Sequence, residues 1–282
     1  MKTFQTAALS FGLITMFALT PTVPVQQPVA DTAPEPCGIA NNTFQHGERL
    51  TYKIYYNWNF VWLAAGEVTF KVTDKGKQYH YRAQGETYDS YEWFFKANDT
   101  YESWVDKNTL LPNYSERTVN EGDYHIFEKI SFNQANRKMT VWRAPKRGET
   151  ETKTEHAVQD CVHDVLSSLY HLRNIDFASR SAGSEEPFRI FMDQEEFPLK
   201  MRYQGKDERK KVHGMGRYKT LRFQPQVIAG NVFNESAKMT VWVSDDQNRI
   251  PVLIESPVSV GSVKMVLKEY WGLKYDFKAK VD

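Results

Sequence analysis

The segment Glu155–Asp176, EHAVQDCVHDVLSSLYHLRNID, is the one long stretch of this 282-residue chain with a helical pattern of apolar residues. At about 100° per residue, one arc of a helix would collect its apolar side chains: Val158, Cys161, Val162, Val165, Leu166, Leu169 and Leu172. His156, His163 and His171 would fall on the opposite, polar side. The pattern therefore predicts an amphipathic helix over residues 156–174, with its histidines facing solvent and Cys161 facing inward.

Most of the chain on either side of this segment alternates apolar and polar residues in short runs, such as RLTYKIYYN at 49–57. Turn signals such as Asp74-Lys75-Gly76 separate the runs, which predicts roughly a dozen strands in meander order. A lone amphipathic helix in such a chain must cover an apolar face. We predict a mainly β fold: a large curved antiparallel sheet or a partly open barrel, with the helix at about 156–174 packed on it.

The N-terminus is typical of a targeting segment. Lys2 precedes an apolar run, Ala7–Leu19, that has the length of a signal-peptide core and is too short to span a membrane. We predict a signal peptide over 1–20, a flexible linker over 21–43 and a single β-rich domain over 44–277, with two similar halves joined at the helix as the alternative. The mature chain is expected to have no transmembrane span and to be exported, in the periplasm or associated with the outer envelope.

The two cysteines, Cys37 and Cys161, allow one intramolecular pairing. Exported proteins fold in an oxidising compartment, which favours a disulfide between them, with two buried free thiols as the alternative. Cys37 follows Ala33-Pro34-Glu35-Pro36 at a distance from the apolar run, so we do not expect it to be lipidated.

The composition argues against nucleic-acid binding, because the net charge is +1 and the pI is near 7.7. His156, Asp160 and His163 have i, i+4, i+7 spacing, but nothing else in the sequence completes a metal site, so we predict neither a metal nor a cofactor. Cys161 and His163 point in different directions on a helix, which argues against a thiol nucleophile. No catalytic residues are predicted, and an enzyme is the less favoured interpretation.

Two clusters of aromatic residues are the better functional lead, because aromatic side chains near turns often line the mouth of a pocket. Core packing is the competing interpretation. The candidate ligand-binding residues are Trp58, Phe60, Trp62, Tyr91, Trp93, Phe94 and Phe95.

Several short motifs occur in a fixed order: Gly47-Glu48-Arg49-Leu50 through Trp58, Ala65-Gly66-Glu67-Val68, Trp93-Phe94-Phe95, Trp242 to Asp246, Arg249-Ile-Pro-Val252 and Gly261-Ser-Val263. In this order they resemble an uncharacterised family of exported bacterial proteins, catalogued as domain of unknown function 3108, from about Phe44 to Tyr275. The resemblance implies export and a mainly antiparallel β fold, and it supplies no catalytic residues. The predicted architecture is also distantly similar to that of the lipoprotein-carrier proteins of the bacterial envelope, in which a curved sheet holds a hydrophobic ligand against helices.

These observations lead to three functional hypotheses. The first is an exported, non-catalytic envelope protein that binds a hydrophobic small molecule or lipid in the cleft of a curved sheet. The second is a structural or interaction component of an envelope complex, with an envelope protein as its partner. The third is a hydrolase that acts on glycans or lipids, which would need converging carboxylates or a perturbed histidine in a cleft.

Overall fold

The computed structural model describes residues 37–58, 61–92, 96–177, 179–228, 238–258 and 261–281, with Trp58 described by its backbone alone. Within these residues the chain forms one sheet of 15 strands and one α-helix. Eight strands come first: β1 Arg49–Trp58, β2 Val61–Lys75, β3 Gln78–Thr87, β4 Asn98–Asp106, β5 Pro112–Glu121, β6 Tyr124–Asn133, β7 Lys138–Ala144 and β8 Thr152–Ala157. A 3₁₀ turn, Asp89–Tyr91, lies between β3 and β4.

The short strand β9, Val162–His163, leads into the helix α1, Val165–Asn174. Six strands follow: β10 Glu185–Met192, β11 Glu195–Val212, β12 Gly216–Pro225, β13 Thr240–Ser244, β14 Pro251–Pro257 and β15 Ser262–Trp271. The sheet runs from β8 back to β1, continues from β15 down to β10, and ends at β9. Neighbouring strands are antiparallel except β9 and β10, which are parallel. The predicted fold, a large curved antiparallel sheet with one helix, is confirmed.

The predicted helix boundary at 156 is wrong. Residues 152–157 are strand β8, which pairs with β7, and α1 begins only at Val165. The Asp164 side chain caps the helix by accepting hydrogen bonds from Leu166 N at 2.8 Å and Ser167 N at 2.9 Å, while Ser167 Oγ accepts one from Asp164 N at 3.1 Å. Val158 and Val162 match a helical stripe in sequence, but they are buried against strand residues, among them Met139 and Val141.

The helix is buried on more than its apolar side, because its polar residues find partners in the interior. Ser103 Oγ in β4 donates to Asp164 Oδ2 at 2.6 Å, and Tyr170 stacks on Tyr81 of β3 with ring centroids 4.0 Å apart. His163, expected to face solvent, is only 2 % exposed. A polar residue with a satisfied hydrogen bond can be buried at little cost, so the polar stripe does not mark the solvent side.

The predicted disulfide between Cys37 and Cys161 is present. It joins residues 124 positions apart, at the start of the described chain and in the turn before β9. The bond therefore fixes the segment before β1 beside the short edge strand and not to the helix itself.

Candidate functional site

A cavity of about 1010 Å³, partly open to solvent, lies between the curved sheet and α1. Six residues of α1 line it, among them the three aliphatic residues Val165, Leu169 and Leu172 on one side of the helix. Leu169 is 44 % exposed although it belongs to the apolar stripe, because its side chain borders this space. The helix thus presents part of its predicted apolar side to the cavity, and Ser168, Tyr170 and Arg173 border the same space.

The opposite walls are built by alternation along successive strands. Side chains at i and i+2 of a strand point to the same face, so a run of alternate apolar residues makes a continuous apolar surface. This surface is contributed mainly by the second half of the sheet: Phe188 and Ile190 of β10; Phe197, Leu199 and Met201 of β11; Leu221 and Phe223 of β12; Val241 and Val243 of β13; Ile254 of β14 and Met265 of β15. Leu50, Phe70 and Val119 from the first half complete it.

The hairpin of β10 and β11 forms one side of the cavity, and polar contacts hold its tip. Asp193 and Gln194 form the two-residue turn, with φ values of 51° and 66°. Asp193 Oδ1 accepts from Arg117 Nη2 at 2.5 Å and from Arg143 Nη2 at 2.6 Å. Burial alone would raise the pKa of Asp193, but the two arginines outweigh it and lower that pKa. These contacts attach the tip to β5 and β7, which belong to the other half of the sheet.

A second carboxylate, that of Glu128, also balances the charge of Arg117. Arg117 Nε donates to Glu128 Oε1 at 2.8 Å, and Arg143 Nε lies 2.9 Å from Glu128 Oε2. Glu128 is 1 % exposed and Asp193 is 46 % exposed, so this network of two arginines and two carboxylates extends from a buried acid to a partly exposed one. Tyr101, a neighbour of Arg117 in the cavity wall, has its pKa raised to about 12 by burial and is a neutral hydroxyl at physiological pH.

Glu121, also in the wall, is hydrogen-bonded to the carboxyl group of Asp99. Burial raises the pKa of both groups, and the charge of Asp99 raises that of Glu121 further. Two adjacent carboxyl groups retain a shared proton to a higher pH than isolated ones. Asp99 is also fixed by a hydrogen bond from Asn120 N at 2.8 Å. The pair can hold a proton at the edge of the cavity.

The aromatic residues proposed from the sequence do not converge on this cavity in the described part of the chain. Trp62 lies in β2 with its ring under Lys264 Nζ at 4.0 Å, and Tyr91 is half-buried in the 3₁₀ turn; neither lines the cavity. Trp58 ends β1. Phe60 and Trp93–Phe95 lie outside the described residues. Their part in ligand binding stays a prediction.

The helical metal face considered in the sequence does not form, because His156 lies in β8 and His163 in β9. Sequence reasoning missed the walls of β10 to β14. The available signal was the alternation Phe188-x-Ile190-x-Met192 and Phe197-x-Leu199-x-Met201, which places all six side chains on one hairpin face. Alternation alone does not reveal whether such a face meets another wall or encloses space.

Three comparisons with known proteins bear on the chain. The model of the family described as "Protein of unknown function (DUF3108)" matches residues 51–268. None of the curated proteins matches it. A crystal structure of a "Beta-barrel-like Protein of Domain of Unknown Function DUF1849" from Brucella abortus is similar, with a TM-score of 0.56 and 10 % identity, over 84 % of this chain and 100 % of that one. At this identity the likeness shows the fold alone, and that fold is barrel-like. Across the described ranges, α1 is too short to cross a membrane.

Proposed function

We propose that this chain, which belongs to the DUF3108 family of proteins of unknown function, binds a hydrophobic small molecule or lipid in the cavity between its curved sheet and α1. The cavity is the observation that carries the proposal. Its volume of about 1010 Å³ lies at the upper end of the range of small-molecule sites, about 300–1,000 Å³. All but eight of the 37 described residues that line it are apolar or aromatic, which suits a ligand with long hydrocarbon segments.

A magnitude argument favours a long chain over a small apolar fragment. Each buried methylene contributes about 0.8 kcal/mol, whereas association costs about 4–15 kcal/mol of lost freedom. Roughly ten methylenes are therefore needed to offset even a moderate association cost. A cavity walled by alternate apolar residues from β10 to β14 supplies contacts along such a length.

We further propose that the protein is exported and works in the cell envelope. The apolar run Ala7–Leu19 after Lys2 and the disulfide between Cys37 and Cys161 support this proposal, since disulfides persist mainly in oxidising compartments. In that setting, a protein that shields an apolar ligand from water would hold or move lipid between membranes. Fusion of residues 1–36 to a reporter enzyme that is active only after export tests this proposal. A reporter that stays in the cytoplasm would contradict it.

The cavity favours ligand binding over a purely structural role, because a scaffold that acts through its outer surface needs no apolar interior space. For the hydrolase alternative, the candidate proton donor is the carboxyl pair of Asp99 and Glu121, of which Glu121 lines the cavity. Unchanged turnover of lipid esters by Glu121→Gln would remove that alternative.

Titration with N-phenyl-1-naphthylamine, a neutral fluorophore that brightens in apolar surroundings, tests the proposal directly. We expect saturable binding at one site per chain. Leu169→Trp puts an indole into the cavity, and Ile254→Phe narrows it from the β14 side, so each should weaken binding by at least about tenfold, equivalent to ~1.4 kcal/mol. Circular dichroism melts of both variants report whether the fold is retained.

The matched control is Val281→Trp, which adds the same side chain to a partly exposed residue, 38 % accessible, that does not line the cavity. This variant should bind the fluorophore like the unaltered protein. Equal affinity of Leu169→Trp and Val281→Trp would show that the fluorophore binds elsewhere and would contradict the proposal.

A further inference from the structure

The cavity wall contains three cations, Arg117, Arg173 and Arg249, and no lysine or histidine among the described residues. A lipid anion such as a fatty acid would need at least one of these guanidinium groups for its head. Whether any is available decides which chemical class of ligand the cavity can accept. The positions between 37 and 281 outside the described ranges carry no Lys, Arg or His in the sequence, so they add no cation.

Arg173 is paired with a carboxylate through its two Nη atoms, and its Nε is buried without a hydrogen-bond partner among the described residues. Its Nη1 donates to Glu48 Oε1 at 2.6 Å and its Nη2 to Glu48 Oε2 at 2.9 Å, with a further bond from Nη2 to Asn248 O at 2.9 Å. The exposed fractions of the two side chains are 7 % and 0 %. A ligand carboxylate could approach this guanidinium only by displacing Glu48, which would leave a buried charge without a partner.

The other two wall arginines are matched in the same way. Arg117 lies between Glu128 and Asp193 in the network at the hairpin tip. Arg249 donates to Ile175 O at 2.7 Å and to Asp176 Oδ1 at 3.1 Å, at the C-terminal end of α1. Each guanidinium therefore already has a carboxylate partner.

The remaining charged groups of the wall are acidic. With Arg143 included, four arginines lie against four carboxylates, those of Glu48, Glu128, Asp176 and Asp193. Glu195 and the pair Glu121 with Asp99 are additional. The wall itself thus has three arginines, each with a carboxylate partner, and three acidic residues, Glu121, Asp193 and Glu195, so an anion inside the cavity would find no cation without a partner.

We infer that the ligand is an uncharged lipid, one whose head group is an ester, amide or alcohol and not a carboxylate or phosphate placed inside the cavity. This inference rests on the proposed function and narrows it. The wall supplies neutral polar groups that suit such a head, namely the hydroxyl of Tyr101 and the amide of Gln226. An ionised head group would lose its hydration without gaining a cation as partner. Moving an ester head group out of water costs much less free energy.

Competition between two probes of equal chain length tests the inference. Methyl dodecanoate and dodecanoic acid are each used to displace N-phenyl-1-naphthylamine at about pH 8, where the acid is ionised. We expect the ester to bind at least about tenfold more tightly than the acid. The same titration of both probes with an unrelated protein in the same buffer corrects for their different solubilities.

A variant pair reverses the expected preference. Leu169→Lys places an ammonium on the cavity side of α1, and Leu169→Gln is its neutral match. The ratio of acid affinity to ester affinity should rise about tenfold in Leu169→Lys relative to Leu169→Gln. A melting curve of each variant confirms that the fold persists.

The outcomes separate the two proposals. If the fluorophore and both dodecanoyl probes fail to bind, the proposed function is wrong and the inference falls with it. If the acid binds as tightly as the ester, or more tightly, the cavity binds apolar chains but the inference about the uncharged head is overturned. An unchanged ratio between Leu169→Lys and Leu169→Gln also overturns it, because charge in the wall would then not select the ligand.

Discussion

Arg173 in α1 and Glu48, the residue before β1, form a two-point ion pair with N–O distances of 2.6 and 2.9 Å, and neither side chain is more than 7 % exposed. The pair connects the helix to the residue that precedes the first strand, and Arg173 itself lines the cavity. Burial opposes the charge of Arg173, but Glu48 outweighs it and raises the pKa of the guanidinium. The position of the helix, and with it one wall of the cavity, therefore depends on a buried charge pair.

Glu48→Gln should lower the free energy of unfolding by about 3–5 kcal/mol, because it leaves the Arg173 charge buried without a counter-charge. Urea unfolding followed by circular dichroism measures this. The double variant Glu48→Gln, Arg173→Met should be less destabilised than the single one, since both charges are then removed. Glu155→Gln, which breaks an exposed pair with Lys138, is the control and should leave the midpoint nearly unchanged. A double variant with a lower free energy of unfolding than Glu48→Gln would contradict the conclusion that the two residues form a buried charge pair.

Reduction of the bond between Cys37 and Cys161 should destabilise the protein by up to about 5 kcal/mol, since the bond closes a loop of 124 residues in the unfolded chain. Unfolding in urea with and without a reductant gives the difference. The variant Cys37→Ser, Cys161→Ser should match the reduced protein and should not respond to reductant. A reductant effect that persists in this variant would mean that another process is being measured.

Stability should fall as the pH drops below about 6.5, the pKa of an exposed histidine. Burial, and secondarily the nearby His171, lowers the pKa of His163 well below that value, so the folded protein keeps the ring neutral. The unfolded chain binds a proton from about pH 6.5 downward and the folded chain does not, so acid favours unfolding. His163→Leu should flatten this dependence in urea titrations between about pH 8 and 5.

The same experiment on His213→Gln provides the control, because His213 is exposed. The pH dependence of this variant should follow that of the unaltered protein. Equal slopes for His163→Leu and His213→Gln would show that His163 does not cause the acid sensitivity.

Asp193→Asn should loosen the β10–β11 hairpin, because Arg117 and Arg143 lose the shared carboxylate that holds its tip. The side chain of Asp193 is 46 % exposed, so solvent screens part of the effect and the expected loss is about 1 kcal/mol. Hydrogen exchange read by mass spectrometry should become faster in residues 185–201. Asp245→Asn, which breaks the pair with Lys206 at 2.9 Å, should leave that segment unchanged. Equal exchange rates in Asp193→Asn and the unaltered protein would contradict the conclusion that Asp193 holds the tip of the hairpin.

The sequence by itself determined the class of fold. Alternating runs such as residues 49–57, separated by Gly and Asp turns, specify antiparallel strands because side chains of a strand alternate between faces. The two cysteines allowed one pairing, and that pairing forms. The apolar stripe of α1 was also correct at Val165, Leu169 and Leu172, which all border the cavity.

Only the tertiary structure decided where the helix begins and what its apolar side meets. Residues 156 and 157 were predicted as the start of the helix, and pairing with β7 makes them the end of β8. Burial of Asp164 and Arg173 became possible because Ser103 and Glu48, which are distant in the sequence, supply partners that no local pattern reveals. The cavity has the same origin: alternation fixes which side chains share a face, but the curvature of fifteen strands fixes whether opposite faces touch or enclose space for a ligand.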